Sequence, residues 1–245
     1  GEITIGDGVL VDTAFIDGDD LRSGDALSRI VGLVSFKDGR FQIAPRGAED
    51  LVGRVAAGSA GSCAATKCAA DLVVGDLAIT EIMTDPNDSC GGGHDGEYIE
   101  VYNNSGSDVD LVGLELSDLA RSTYIGDTLS VAAGAYLLLE YGDAPCIADA
   151  AGGYPWTNYR AVTLNNDEDT LTLSYDSLVL DQVAYGTDWP LADGVSMELT
   201  GTPSSDAHTD NDDVANWCAA TSTVGTGAGA ANLGSPGAAN TCAAR

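Results

Sequence analysis

Between residues 76 and 217 short apolar runs return at intervals: LAITEIM, EYIEVYN, VDLVGLELS, AYLLLEY, DTLTLSY, LVLDQVAYG and VSMEL. Polar turns such as NNSGSD, YGDAP and NNDED separate them. Within a run the side chains alternate. In EYIEVY, Glu97, Ile99 and Val101 fall on one side and Tyr98, Glu100 and Tyr102 on the other, because successive residues of a strand point to opposite faces. The Ile/Val side is expected to enter the core. About seven such runs, with no helical period between them, predict an antiparallel β-sandwich rather than βαβ units.

The first 55 residues carry shorter runs, EITI, VLVDTAFI, LSRIVGLVSF and RFQIAP, broken by GDG, DGDDLRSGD and KDG. Each break is Asp-Gly turn chemistry, and FKDGRF has the form of a tight hairpin. These patterns divide the chain into a small β unit (1–55), a Cys-containing linker (56–75), a sandwich (76–217) and a Gly/Ala-rich tail (218–245). The tail is too low in complexity to hold itself, so a disulfide or a partner is expected to tie it down.

Charge narrows the choice of partner. Ten Lys and Arg against 38 Asp and Glu give a net charge of -28, which repels phosphate backbones and anionic lipid alike and argues against nucleic acid. The longest apolar run, VAAGAYLLL at 131–139, is far short of the roughly 20 residues that cross a bilayer. A start at Gly1 and the ending TCAAR raise the expectation of a fragment matured from a longer precursor.

Six cysteines stand at Cys63, Cys68, Cys90, Cys146, Cys218 and Cys242, mostly among Gly, Ala, Ser or Asp. An even count in loop-like surroundings points to disulfides and hence to an oxidising, extracellular setting. Cys63–Cys68, Cys90–Cys146 and Cys218–Cys242 are the expected pairs. No CxxC occurs, and CAATKC lacks a second matching pair, so a thiolate metal site is the weaker reading.

Acidic loops hold the best candidate chemistry. Hard oxygen ligands at such density suit Ca²⁺, the one cofactor these loops could take, and the expected ligands are Asp85, Asp88 and Asp95, or Asp210, Asp212 and Asp213. Neither loop has the spacing of a helix–loop–helix calcium site, and solvated turns are the plainer account. His94 and His208 are the only imidazoles, each in a Gly/Asp loop, and no Ser stands in a nucleophile-elbow motif. Trp189 and Trp217 suit packing at the ends of a sandwich. Tyr154, Trp156 and Tyr159 in GGYPWTNY are the expected contacts for a ligand or partner.

Taken in order, ITEIMTDP, GEYIEVYNNSGSDVDLVGLELSD, GAYLLLEYGD, LNNDEDTLTLSYDSLVLDQVAYGTDWP, VSMEL, TDNDDVANW and GSPGAAN resemble the lamin tail domain in its bacterial secreted form, over about residues 75–240. The resemblance implies an immunoglobulin-like sandwich that serves as a structural and interaction module and carries no catalytic residues. Residues 24–53 more weakly resemble the OB-like domain found beside it in secreted bacterial nucleases. The expected fold is thus all-β: an immunoglobulin-like antiparallel sandwich preceded by a small, incomplete OB-like unit. The expected function is that of an extracellular subunit, at the bacterial surface or in the medium. It would associate with copies of itself or another surface protein by β-strand addition, forming filaments where that contact does not close. An accessory fragment of a secreted nuclease, and a Ca²⁺-dependent adhesin or carbohydrate-binding module, are the alternatives.

Overall fold

A computed structural model describes residues 2–5, 9–12, 29–37, 39–52, 67–87, 94–125, 128–141, 147, 154–156, 162–175, 178–224 and 232–242. The first strands are β1 (Glu2–Ile5), β2 (Val9–Asp12), β3 (Arg29–Ile30), β4 (Leu33–Lys37), β5 (Arg40–Ala44) and β6 (Leu51–Val52). FKDGRF closes as expected: Lys37 pairs with Arg40 across a two-residue connection, and Gly39 supplies the positive φ of +80° that the turn requires. The run LSRIVGLVSF is two strands rather than one. Its break falls at Gly32, where an added Cβ would lie 2.6 Å from the Ala44 carbonyl oxygen, so only glycine allows β5 this close. The sheet order is β1-β2-β5-β4, with β2 and β5 parallel. It is an open sheet, and no closed barrel forms among the described residues.

The strands that follow are β7 (Lys67–Cys68), β8 (Leu77–Met83), β9 (Tyr98–Asn103), β10 (Val109–Asp110), β11 (Glu115–Ser117), β12 (Ser122–Tyr124) and β13 (Ser130–Val131). After them come β14 (Tyr136–Tyr141), β15 (Tyr154–Trp156), β16 (Asp169–Tyr175), β17 (Leu178–Tyr185), β18 (Met197–Leu199) and β19 (Trp217–Ala219), with one turn of helix, α1 (Ala207–Asp210), before β19. VDLVGLELS, expected as a single strand, divides into β10 and β11, because Gly113 sits at φ +87° and turns the chain from one sheet to the other. A four-stranded sheet, β12-β11-β16-β17, faces a six-stranded one, β15-β14-β9-β8-β18-β19. Ile79, Ile99, Val101, Leu139 and Met197 of the larger sheet share one buried cluster with Leu116, Leu171, Leu173, Leu180 and Val183 of the smaller. This is the sandwich core. Trp189 and Trp217 stack at its edge with ring centroids 5.3 Å apart, and the Trp217 indole N–H donates to the Asn211 carbonyl.

The alternation in EYIEVY predicts only one buried face for β9, and the structure differs there. Tyr98 and Glu100 are as buried as Ile99. Residues 232–242 of the tail lie over the outer face of the six-stranded sheet and form a third layer, as their hydrogen bonds to it show. A disulfide between Cys218 of β19 and Cys242, with Cα atoms 6.1 Å apart, ties the end of that layer to the sheet it covers.

Candidate functional site

Strand alternation brings four carboxylates to the outer face of the six-stranded sheet: Glu81 on β8, Glu100 on β9, Glu140 on β14 and Glu198 on β18. All four are 0 % exposed. Burying a carboxylate is costly unless hydrogen bonds replace its water; Glu140 accepts from the Ile147 N–H at 2.8 Å, and for the other three the C-terminal layer supplies main-chain donors. Glu81 accepts from the Ser235 N–H at 2.9 Å, and also from the Tyr98 and Ser196 hydroxyls. Glu100 accepts from the Gly237 N–H at 2.7 Å and the Thr80 hydroxyl at 2.9 Å. Glu198 accepts from the N–H groups of Thr241 and Cys242, both at 2.9 Å, and from the Ser235 hydroxyl at 2.8 Å. The Asn240 amide completes the seam by donating to the carbonyls of Thr80 and Leu199. Gly234 sits hard against this cluster: a Cβ there would collide with the Tyr98 hydroxyl and fall 2.7 Å from Glu81 Oε1.

Desolvation dominates the electrostatics. Burial pushes the Glu81 carboxyl up to about 7 against the opposing hydrogen bonds of Ser196, Tyr98 and Ser235, and nearby Glu198 adds to the rise. Burial, with the Glu81 charge, raises Glu100 to about 9. Burial also drives the Tyr98 hydroxyl well above its usual range. Carboxyls shifted this far are the kind of group that does acid–base chemistry. Here their partners are the protein's own peptide groups, and the packing of Gly234 leaves no room for a substrate. A further buried carboxyl, Glu97, is raised to about 9 chiefly by burial, with Asp85 and Asp169 adding to the rise. It accepts from the Leu164 N–H at 2.8 Å and contacts His94 Nδ1 at 2.5 Å.

The N-terminal sheet presents the opposite surface. β4 is its terminal strand, and Leu33, Val34 and Phe36 on it are exposed, as is Phe41 on β5. Phe36 and Phe41 lie against each other at 5.0 Å between centroids. The other exposed edge of note, β17, is blunted: the Leu180 carbonyl accepts from Gly75 and the Gln182 N–H donates to the Asp181 side chain. An edge satisfied from its own chain cannot template another strand.

Comparison with known families finds one similarity within the sandwich. Residues 73–187 match the Lamin Tail Domain family. No curated protein matches the chain. The match takes in β8 through β17, and with it Glu81, Glu97, Glu100 and Glu140. It stops short of β18, β19 and the segment that covers the larger sheet, so that cover lies outside the matched residues.

The other expected positions lie elsewhere on the sandwich, several of them outside the described residues. Asp85 and Asp95 lie in the loop between β8 and β9; Asp88, expected beside them, falls outside the described residues. Asp213 accepts from the Ala215 N–H at 2.9 Å and caps the turn before β19, and the Asp210 carbonyl accepts from the Asn216 amide. Burial raises Asp212 somewhat. Among the described residues no three His, Cys, Asp or Glu side chains come together as a metal site. Cys68 is disulfide-bonded, while Cys63, Cys90 and Cys146 fall outside the described residues. Tyr154 and Trp156 form the edge strand β15, parallel to β14, and Tyr159 is outside the described residues. Sequence reasoning passed over the three carboxylates beneath the tail. Their signal was present: Glu at the middle of LAITEIM, EYIEVY and VSMEL, each flanked by apolar residues.

Proposed function

We propose that the chain is a non-catalytic structural subunit of an extracellular assembly, held to copies of itself by β-strand addition at its N-terminal sheet. The observation that carries this reading is the terminal strand β4, unpaired on its outer side among the described residues, with Leu33 68 %, Val34 71 % and Phe36 63 % exposed. Exposed apolar side chains on an open edge are what natural sheets avoid unless another strand covers them. The lamin-tail match agrees with a structural role, and the disulfides agree with an oxidising compartment.

Sedimentation velocity over a concentration series tests the reading. Species larger than the monomer are expected to grow with concentration. A single monomeric boundary up to millimolar protein would overturn it.

A further inference from the structure

The hairpin also determines how two copies would meet. A two-residue connection closes on a hydrogen-bonded pair. Counting from Lys37–Arg40, hydrogen-bonded pairs therefore recur at Ser35–Gln42 and Leu33–Ala44. This turns the main-chain N–H and C=O of Val34 and Phe36 away from β5, toward the open side. Those two residues also point their side chains to one face of the sheet, the face on which Phe36 packs with Phe41.

We propose that β4 pairs with β4 of a second copy, antiparallel, about a twofold axis through Ser35, joining two four-stranded sheets into one of eight strands. This rests on the self-association reading above and names its partner and register. In this register Val34 of each chain lies opposite Phe36 of the other, and the two exchange their outward N–H and C=O groups. Val34, Phe36 and Phe41 of both copies form one continuous apolar face. Lys37 lies opposite Leu33, so no like charges are brought together.

The distribution of charge favours the same partner. Residues 1–55 hold six of the chain's ten Lys and Arg but only ten of its 38 acidic residues, leaving this unit a net charge of -4 of the chain's -28. The remaining 190 residues carry nearly all of the net negative charge. A contact through the N-terminal units lets two copies touch where repulsion is weaker than between the more acidic sandwiches. An isologous contact closes on itself, so it makes a dimer; a filament would need a second contact elsewhere.

Charge substitution across the proposed twofold tests the register. Val34→Lys combined with Phe36→Lys places like charges at both cross-strand pairs, and Val34→Lys combined with Phe36→Glu places opposite ones. By sedimentation velocity, at a concentration where the unmodified chain is dimeric, the first variant is expected to weaken the dimer at least tenfold and the second to restore it. A double-lysine variant that still dimerises would overturn this pairing but leave self-association standing. Two monomeric variants would overturn the register. An unmodified chain that stays monomeric throughout would remove both this pairing and the reading beneath it.

Discussion

The outer face of the six-stranded sheet and the N-terminal hairpin contradict the same rule from opposite sides. On the sheet, Glu81, Glu100 and Glu198 are sealed from water. On the hairpin, Phe36 is 63 % and Phe41 73 % exposed. The number of layers makes the difference. The sheet has a cover whose peptide N–H groups replace the water each carboxyl gave up, so these polar groups are accommodated inside, although burial still disfavours their charged form. The hairpin belongs to a sheet whose described edge has no cover, so its apolar side chains remain outside.

The largest effect is expected from removing an acceptor under the cover. Glu198→Ala leaves the N–H groups of Thr241 and Cys242 and the Ser235 hydroxyl without their partner. It should cost about 3 kcal/mol or more, read from the shift of a urea unfolding midpoint. Glu198→Gln, which keeps an oxygen in place, should recover most of this.

Next in size is pH. Glu81 is raised from 4.5 to about 7, and Glu97 and Glu100 to about 9. Below about pH 4.5 these groups are protonated in both folded and unfolded chains. Above it the unfolded chain releases its protons first, so stability is lost as pH rises through about 7 and then 9. Glu81 alone accounts for on the order of 3 kcal/mol of that loss. Thermal melts should therefore show a lower Tm at pH 9 than at pH 5, and Glu81→Gln should flatten the profile between pH 5 and 7. A Tm that rises over this range would show that the carboxylates are already ionised and well stabilised.

Smaller again is Gly234→Ala, whose added methyl meets Tyr98, Glu81 and Ser196 and should cost roughly 1–3 kcal/mol by overpacking. The smallest effect belongs to the hairpin. In dilute monomer Phe41→Ser should change stability by no more than about 0.5 kcal/mol, whereas Leu171→Ala in the sandwich core should cost about 2–5 kcal/mol. Equal losses at the two positions would mean that the hairpin is covered in the isolated chain.

How far this contrast could be read beforehand depends on what one strand can report. Alternation in EYIEVY and DTLTLSY marks strands and the face that enters the sandwich, because burial between two sheets is written locally in period two. The hairpin at Asp38-Gly39 is equally local. Burial of Glu100 is not, since it depends on Gly237, 137 residues away, in a stretch whose Gly and Ala carry no periodic signal. The acidic loops are hard to read for a related reason. Asp213 is occupied in capping its own turn, a use of carboxylates as common as metal binding and indistinguishable from it by composition.

The C-terminal layer is held through its peptide groups more than through its side chains, and Gly237, Ala238 and Ala239 are exposed. Such a segment places few demands on its letters: apart from Asn232, Gly234, Ser235, Asn240, Thr241 and the cysteine, its residues can drift over generations while the seal persists. Relatives that keep the glutamates beneath it could therefore retain this layer long after its own wording had ceased to be recognisable.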